Sequence, residues 1–215
     1  MSENFNKIIL LRHAESIKNI KKIHGKCSEK LTEVGVQQAK NVAKYLHTFL
    51  NISTLKIFTM DSNYTKETAE ILSRFFKIKI NYSIDFAPIN LGLADGLSDD
   101  ELLLRYPETY KLFGKWRRRE IDIKELKVPG IEPYMTFWER GKDFIDKLPN
   151  DGDIVLVCSN SLIILLTNIL LNNHPQLTDN YKHISIPNCG VIVFKTRDFR
   201  SFDIDNKLTT VDILQ

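Results

Sequence analysis

The sequence predicts an α/β fold: a mainly parallel central sheet with helices on both faces and an inserted helical lobe. Three observations carry this. Residues 7–11 (KIILL) and 154–158 (IVLVC) are short continuous apolar runs, the pattern of strands buried on both faces. From residue 7 to residue 82 the pattern alternates strand, helix, strand, helix, strand, which is the order of a parallel sheet with covered faces. Between residues 83 and 150 the alternation stops, broken by Pro88, Pro107, Pro129, Pro133 and Pro149.

The elements follow in order. After the first strand, Thr32 can cap a helix running to about Leu50, with Val36, Ala39, Val42, Ala43 and Leu46 at helical spacing. Residues 55–59 (LKIFT) form a second strand. A second helix covers residues 63–76, with Ala69, Leu72 and Phe76 on one face. Residues 78–82 (IKINY) alternate as a third strand. Two helices are expected in the lobe, one opened by Ser98 and running to Tyr106, the other over residues 136–148. Residues 161–171 are apolar but too short to span a bilayer, and read as a buried helix after the fourth strand. Residues 191–195 and 208–214 add strands at the end. The whole of 1–215 reads as one domain, with the inserted lobe at about 83–150.

Composition narrows the function. The 215 residues are 43% hydrophobic and 27% charged, the balance of a soluble globular protein. A net charge of +3 is too small to imply nucleic acid. The three cysteines, Cys27, Cys158 and Cys189, are widely spaced and form no CxxC pair, so no disulfide framework or zinc ribbon is expected. His13, His24 and Cys27 lack zinc-ligand spacing. The first residues lack the apolar core of a signal peptide. The expectation is a cytoplasmic protein with no membrane, metal or cofactor requirement.

In open parallel sheets the ligand lies beyond the carboxyl ends of the strands. Three segments stand there: Arg12-His13, residues 59–64, and Ser159-Asn160-Ser161. Arginine offers a planar fork that matches phosphate oxygens. Neutral histidine is a competent nucleophile toward phosphorus. An isolated Arg-His pair is equally the pattern of a surface arginine beside a hydrogen-bonded histidine.

The surrounding residues extend the pattern. Leu11-Arg12-His13-Ala14-Glu15-Ser16 is followed by Asn19, then by Leu31-Thr32-Glu33-Val34-Gly35-Val36-Gln37-Gln38-Ala39. This resembles the histidine phosphatase superfamily, the phosphoglycerate mutase-like proteins, whose pattern is L-[IV]-R-H-[GA]-[EQ]-[ST], a nearby Asn, then L-T-x-x-G-x-x-Q-A. Further matches are Glu67-Thr68-Ala69, Gly92 and Gly96, Pro129-Gly130, Glu132 and Arg140. The resemblance covers nearly the whole chain. It implies His13 as phosphoryl acceptor, Arg12 beside it as a catalytic anion ligand, and Asn19 in substrate binding. In the family a second arginine and a second histidine also hold the phosphoryl oxygens, and a carboxylic acid protonates the leaving group.

Three of those partners are replaced here. Aligning Thr68-Ala69 on the family's T-A puts Tyr64 at the second arginine. The acid's place, four residues before Gly92, holds Pro88. Where the family reads V-S-H-G after the fourth strand, Asn160 takes the histidine's place. Tyr64 brings no charge, Pro88 cannot move a proton, and Asn160 offers only an amide. Asp85 and Asp95 flank the Pro88 loop as alternative acids, with Asp95 better placed for a structural role. Lys66 should face away from the site. Lys115-Trp116-Arg117-Arg118-Arg119 resembles the W-R-R segment by which the mutases grip substrate, making Arg117 and Arg118 candidate ligands; a solvated basic face has the same pattern. Cys158 lacks the C-x5-R of the cysteine phosphatases and reads as a buried thiol.

Together these residues imply a pseudophosphatase. It binds phosphate, a phosphorylated small molecule or a protein, with weak or lost phosphoryl transfer. The alternative is an active phosphomonoesterase with a rearranged pocket built on His13.

Overall fold

The computed structural model describes residues 6–25, 28–83, 86–121, 123–176, 181, 183–184 and 186–196. Its centre is a five-stranded sheet of β1 (Asn6–Arg12), β2 (Lys56–Thr59), β3 (Ile80–Tyr82), β4 (Ile154–Cys158) and β5 (Val191–Thr196). The spatial order is β3-β2-β4-β1-β5. All neighbours are parallel except β5, which runs antiparallel to β1. The helices are α1 (Ile17–Ile20), α2 (Glu33–His47), α3 (Asn63–Phe76), α4 (Asp99–Arg105), α5 (Pro107–Arg117), α6 (Tyr134–Asp146) and α7 (Asn160–Leu170).

The apolar runs of β1 and β4 have a simple cause. Alternate residues enter two different cores. Ile8 and Leu10 of β1, with Ile154, Leu156 and Cys158 of β4, pack against α6, α7 and the lobe. Ile9 and Leu11, with Val155 and Val157, pack against α2 and α3. A strand facing two cores has no polar side to alternate.

The lobe contains three α-helices where the sequence suggested two. The additional one, α5, begins at Pro107. Proline reads as a breaker in sequence, but at the first helical position its missing N–H is not needed and its fixed φ suits the helix. α4 opens with the expected Ser98–Glu101 capping box. α2 stops at His47, short of Leu50, and the Thr48 hydroxyl donates to the Tyr45 carbonyl at its end. α6 is shifted two residues toward the N-terminus from its expected span, starting directly after Pro133. The strand expected over 208–214, Cys27 and Asp85 lie outside the described residues. Among the described residues no helix is long and apolar enough to cross a membrane.

At the end of the sheet opposite the Arg12-His13 turn, Asp153 joins three strands. Its carboxylate accepts from the Lys7 amide at 3.0 Å, the Asn51 amide at 2.8 Å and the Lys7 ammonium at 3.3 Å. Its carbonyl accepts from the Lys56 amide. The group is 2% exposed. Asp153→Ala is expected to leave two amides unpaired at a cost of about 3 kcal/mol, read as a lower urea midpoint with an unchanged m-value.

Candidate active site

The segment after β1 is held from every side. The His13 amide donates to the Cys158 carbonyl at 3.0 Å, tying it to the end of β4. The Ala14 amide donates to Thr68 Oγ1 at 3.1 Å, and Thr68 in turn donates to the Tyr64 carbonyl. The Glu15 amide donates to Gln38 Oε1 at 2.9 Å, and Thr32 Oγ1 donates to the Glu15 carboxylate at 2.7 Å. Asn19 Oδ1 accepts from both the amide and the hydroxyl of Ser16. The motif residues Thr32, Gln38 and Thr68 therefore act as scaffolding for the Arg-His turn. Gly35 belongs with them: a Cβ there would stand 1.9 Å from the Glu15 carbonyl oxygen.

A further support comes from far along the chain. Asn188 Nδ2 donates to the His13 carbonyl at 2.9 Å and to Asn19 Oδ1 at 3.2 Å. The Cys189 amide donates to the Arg12 carbonyl, and the Arg12 amide donates to the Gly190 carbonyl. Arg12 Nη1 donates to the Ile186 carbonyl. The sequence reading did not single out Asn188. The Pro187-Asn188-Cys189-Gly190 turn ahead of β5 is the one local signal that could have found it.

His13 is 2% exposed. Its Nδ1 lies 2.8 Å from the Ala14 carbonyl oxygen. A carbonyl only accepts, so Nδ1 carries the proton and Nε2 keeps the lone pair that a phosphoryl acceptor needs. Burial pushes the imidazole down to about 3, against a supporting hydrogen bond to Ala14, and the positive fields of Arg12 and Lys18 push the same way as burial. His13 is thus neutral throughout the physiological range. Burial also lowers the Arg12 guanidinium, but from so high a value that it stays charged.

The replaced positions have different surroundings. Tyr64, in the first turn of α3, is fully buried with its ring centroid 4.5 Å from that of His13, tilted by 54°. An aromatic ring therefore packs on the imidazole at the position that the resemblance assigned to the second arginine. Asn160 is the first residue of α7, beyond the end of β4, and its buried Oδ1 has no hydrogen-bond partner among the described residues. Arg12 Nε is likewise buried without one. The Pro88 carbonyl accepts from Arg140 Nη2 at 3.0 Å, and the Ala87 carbonyl accepts from Nη1 at 2.7 Å. Arg140 also forms a two-pronged pair with Glu132. Arg140 and Glu132 thus fix the Pro88 loop. Asp95 accepts from the Leu91 amide at 3.3 Å and packs closely on Gly25, a structural role.

Lys66 lies over the Tyr82 ring, away from His13, as helical geometry requires. Arg117 donates twice to Asp99, at 3.0 and 2.9 Å, and Asp99 also holds His24 at 2.9 Å. Burial works to raise the Asp99 carboxyl, but Arg117 and His24 hold it below its usual range. Arg118 is exposed and pairs with Glu120 in its own segment. Arg117 is therefore fastened to the first turn of α4, and Arg118 is directed to its own neighbours. Cys158 is fully buried and burial raises its thiol well above the usual value, so it is inert as a nucleophile.

A buried neutral histidine thus stands at the carboxyl end of β1, where α/β sheets place their ligands, with an arginine as the preceding residue. The chain belongs to the histidine phosphatase superfamily (branch 1), whose family model matches residues 8–204. It is similar to fructose-2,6-bisphosphatase of Saccharomyces cerevisiae, 28% identical over 157 residues, covering 73% of this chain and 32% of that protein. It is similar also to phosphoglycerate mutase 2 of the same yeast, 31% identical over 146 residues, covering 61% of this chain and 46% of that protein. The chain thus spans a third to a half of the length of these curated relatives. Its fold matches the crystal structure of phosphoglycerate mutase from Bacillus anthracis with a TM-score of 0.71 at 20% identity, over 90% of this chain and 88% of that one.

Proposed function

We propose that this chain binds a phosphorylated small molecule at Arg12, His13, Asn19 and Asn160, and that its phosphoryl transfer is weak or lost. The observation that carries this is the pair of buried unpartnered polar atoms, Arg12 Nε and Asn160 Oδ1, at the ends of the adjacent strands β1 and β4. Buried polar groups are hydrogen-bonded in all but a small minority of cases, so two unpaired ones at neighbouring strand ends call for a partner such as a bound anion or water. Arg12 Nε–H suits a phosphoryl oxygen directly. The Asn160 carboxamide meets one by turning over to present Nδ2, an exchange that breaks no bond at Oδ1.

Transfer needs more than binding. The phosphoryl group spreads charge over three oxygens as it moves, and fixed cations stabilise that charge. Tyr64 and Asn160 are uncharged where the family has an arginine and a histidine. Pro88 removes the proton donor for the leaving oxygen. Arg117 and Arg118 remain candidate ligands for a distal anionic group, Arg117 by exchanging Asp99 for it. The yeast relatives are named for phosphorylated sugar and glycerate chemistry, which supports a phosphorylated small molecule over a protein.

A second reading is favoured by one observation. His13 is neutral and its Nε2 is unprotonated, the state of a working nucleophile. On that reading the chain is an active phosphomonoesterase with a rearranged pocket. Rapid-quench capture of phosphohistidine from radiolabelled phosphomonoesters separates the two. The expected result is orthophosphate binding abolished by Arg12→Gln, with turnover of p-nitrophenyl phosphate at least about 10²-fold below an intact family enzyme. Robust turnover that disappears in His13→Asn would overturn the first reading in favour of the second.

A further inference from the structure

We propose that Lys18 supplies the positive charge that the Tyr64 substitution removes, placing its ammonium over the Tyr64 ring where it meets an oxygen of the bound phosphate. This rests on the reading of the Arg12-His13 pocket as a phosphate site.

The placement is direct. Lys18 lies on the short helix α1, immediately after the Arg-His turn. Its Nζ stands 5.7 Å from the centroid of the Tyr64 ring, within cation–π range. That same ring packs on His13 at 4.5 Å between centroids. A charge lost from α3 has therefore been replaced across the pocket by one from α1, with the new aromatic ring as its seat. The ammonium also donates to the Gly25 carbonyl, which orients the stem toward the loop after α1.

The fields agree with this position. Lys18 pushes electrostatically on both His13 and His24, and Arg117 pushes on His24. Lys18 is thus close enough to the Arg-His turn for its charge to act on His13. Lys18 is itself hydrogen-bonded to Gly25, and other basic side chains near these positions have partners of their own. Lys66 lies over Tyr82, Arg118 pairs with Glu120, and Arg140 holds Glu132 and the Pro88 loop.

The exchange also alters the chemistry. A guanidinium grips two oxygens in a plane, whereas an ammonium is a point charge on a flexible stem. Lysine restores attraction for a phosphate dianion and gives up the fixed orientation that in-line transfer requires. Binding without efficient turnover follows from that difference.

Orthophosphate and orthovanadate are titrated calorimetrically into the full chain, at low and high salt, for the parent protein and for Lys18→Gln, Lys18→Arg, Lys66→Gln and Arg12→Gln. Loss of one charge-assisted hydrogen bond weakens binding roughly ten- to hundredfold. The expected result is that weakening in Lys18→Gln with a shallower salt dependence, recovery to within about threefold in Lys18→Arg, and no change in Lys66→Gln. Parent-like affinity in Lys18→Gln, with affinity still lost in Arg12→Gln, would overturn the role of Lys18 alone. Equal weakening in Lys18→Gln and Lys18→Arg would assign the residue to the Gly25 contact and overturn it too. If the parent protein binds neither anion, the phosphate-site reading falls and this inference with it.

Discussion

Acidification from pH 7 to pH 5 is expected to remove about 2 kcal/mol of stability through His13 alone. The unfolded imidazole titrates near 6.5 and the folded one near 3. Between those values the unfolded chain takes up a proton that the folded chain refuses. Stability is therefore complete above about pH 6.5 and falls as the pH drops toward 3. Each unit of the window is worth about 1.4 kcal/mol, so carrying acidification to pH 3 would cost about 4 kcal/mol. His24 is also lowered by burial and adds in the same direction, although Asp99 opposes it. The His13 part is isolated by subtraction. His13→Asn keeps a donor for the Ala14 carbonyl and cannot titrate. Urea unfolding at pH 7 and pH 5 should show a fall in the parent protein larger by about 2 kcal/mol than in the variant. Equal falls would mean that His13 is protonated in the folded state, which also removes its standing as a nucleophile.

The same burial bears on function. A surface histidine near 6.5 is partly protonated in the cell, and its protonated form cannot attack phosphorus. Here Arg12 and Lys18 crowd the ring with positive charge, and the apolar faces of Tyr64 and Ala14 close around it. The imidazole is therefore held in the neutral form that nucleophilic attack requires. On the function proposed above, what differs is the set of groups that would receive the phosphoryl charge and protonate the leaving oxygen.

The fold was legible because its strongest signals are local. The double burial of β1 and β4 writes itself as unbroken apolar residues, and the Arg-His turn is marked by two motif blocks. α5 was less legible, because Pro107 has opposite meanings at the start and in the middle of a helix, and local sequence does not say which applies. Tyr64, Pro88 and Asn160 could be singled out from spacing, but their surroundings could not. Whether Tyr64 fills the arginine's place or swings out depends on packing, and its ring lies on His13. Asn188, 175 positions beyond His13, reaches it only because β5 runs back along β1. Lys18 sits between motif residues as an ordinary lysine, and only the fold sets its ammonium over the Tyr64 ring.

Gly35→Ala is expected to destabilise the protein by about 3 kcal/mol, although alanine is the better helix former by about 1 kcal/mol. The added methyl would stand 1.9 Å from the Glu15 carbonyl oxygen and 2.9 Å from its carbon. Both are backbone atoms of the Arg-His turn, so no side chain can rotate away. α2 must retreat instead, and with it go the Gln38 bond to the Glu15 amide and the Thr32 bonds to Glu15. Those bonds set the turn that carries His13, so orthophosphate affinity should fall together with stability. Gly114, in α5, provides the opposite case. A methyl there meets only the end of the flexible Arg118 side chain, at 3.1 Å. Gly114→Ala should therefore be neutral or stabilising by up to about 1 kcal/mol. Thermal and urea melts of both variants are decisive: equal, small effects would show that α2 does not press on the turn, and that Gly35 serves the helix rather than the site.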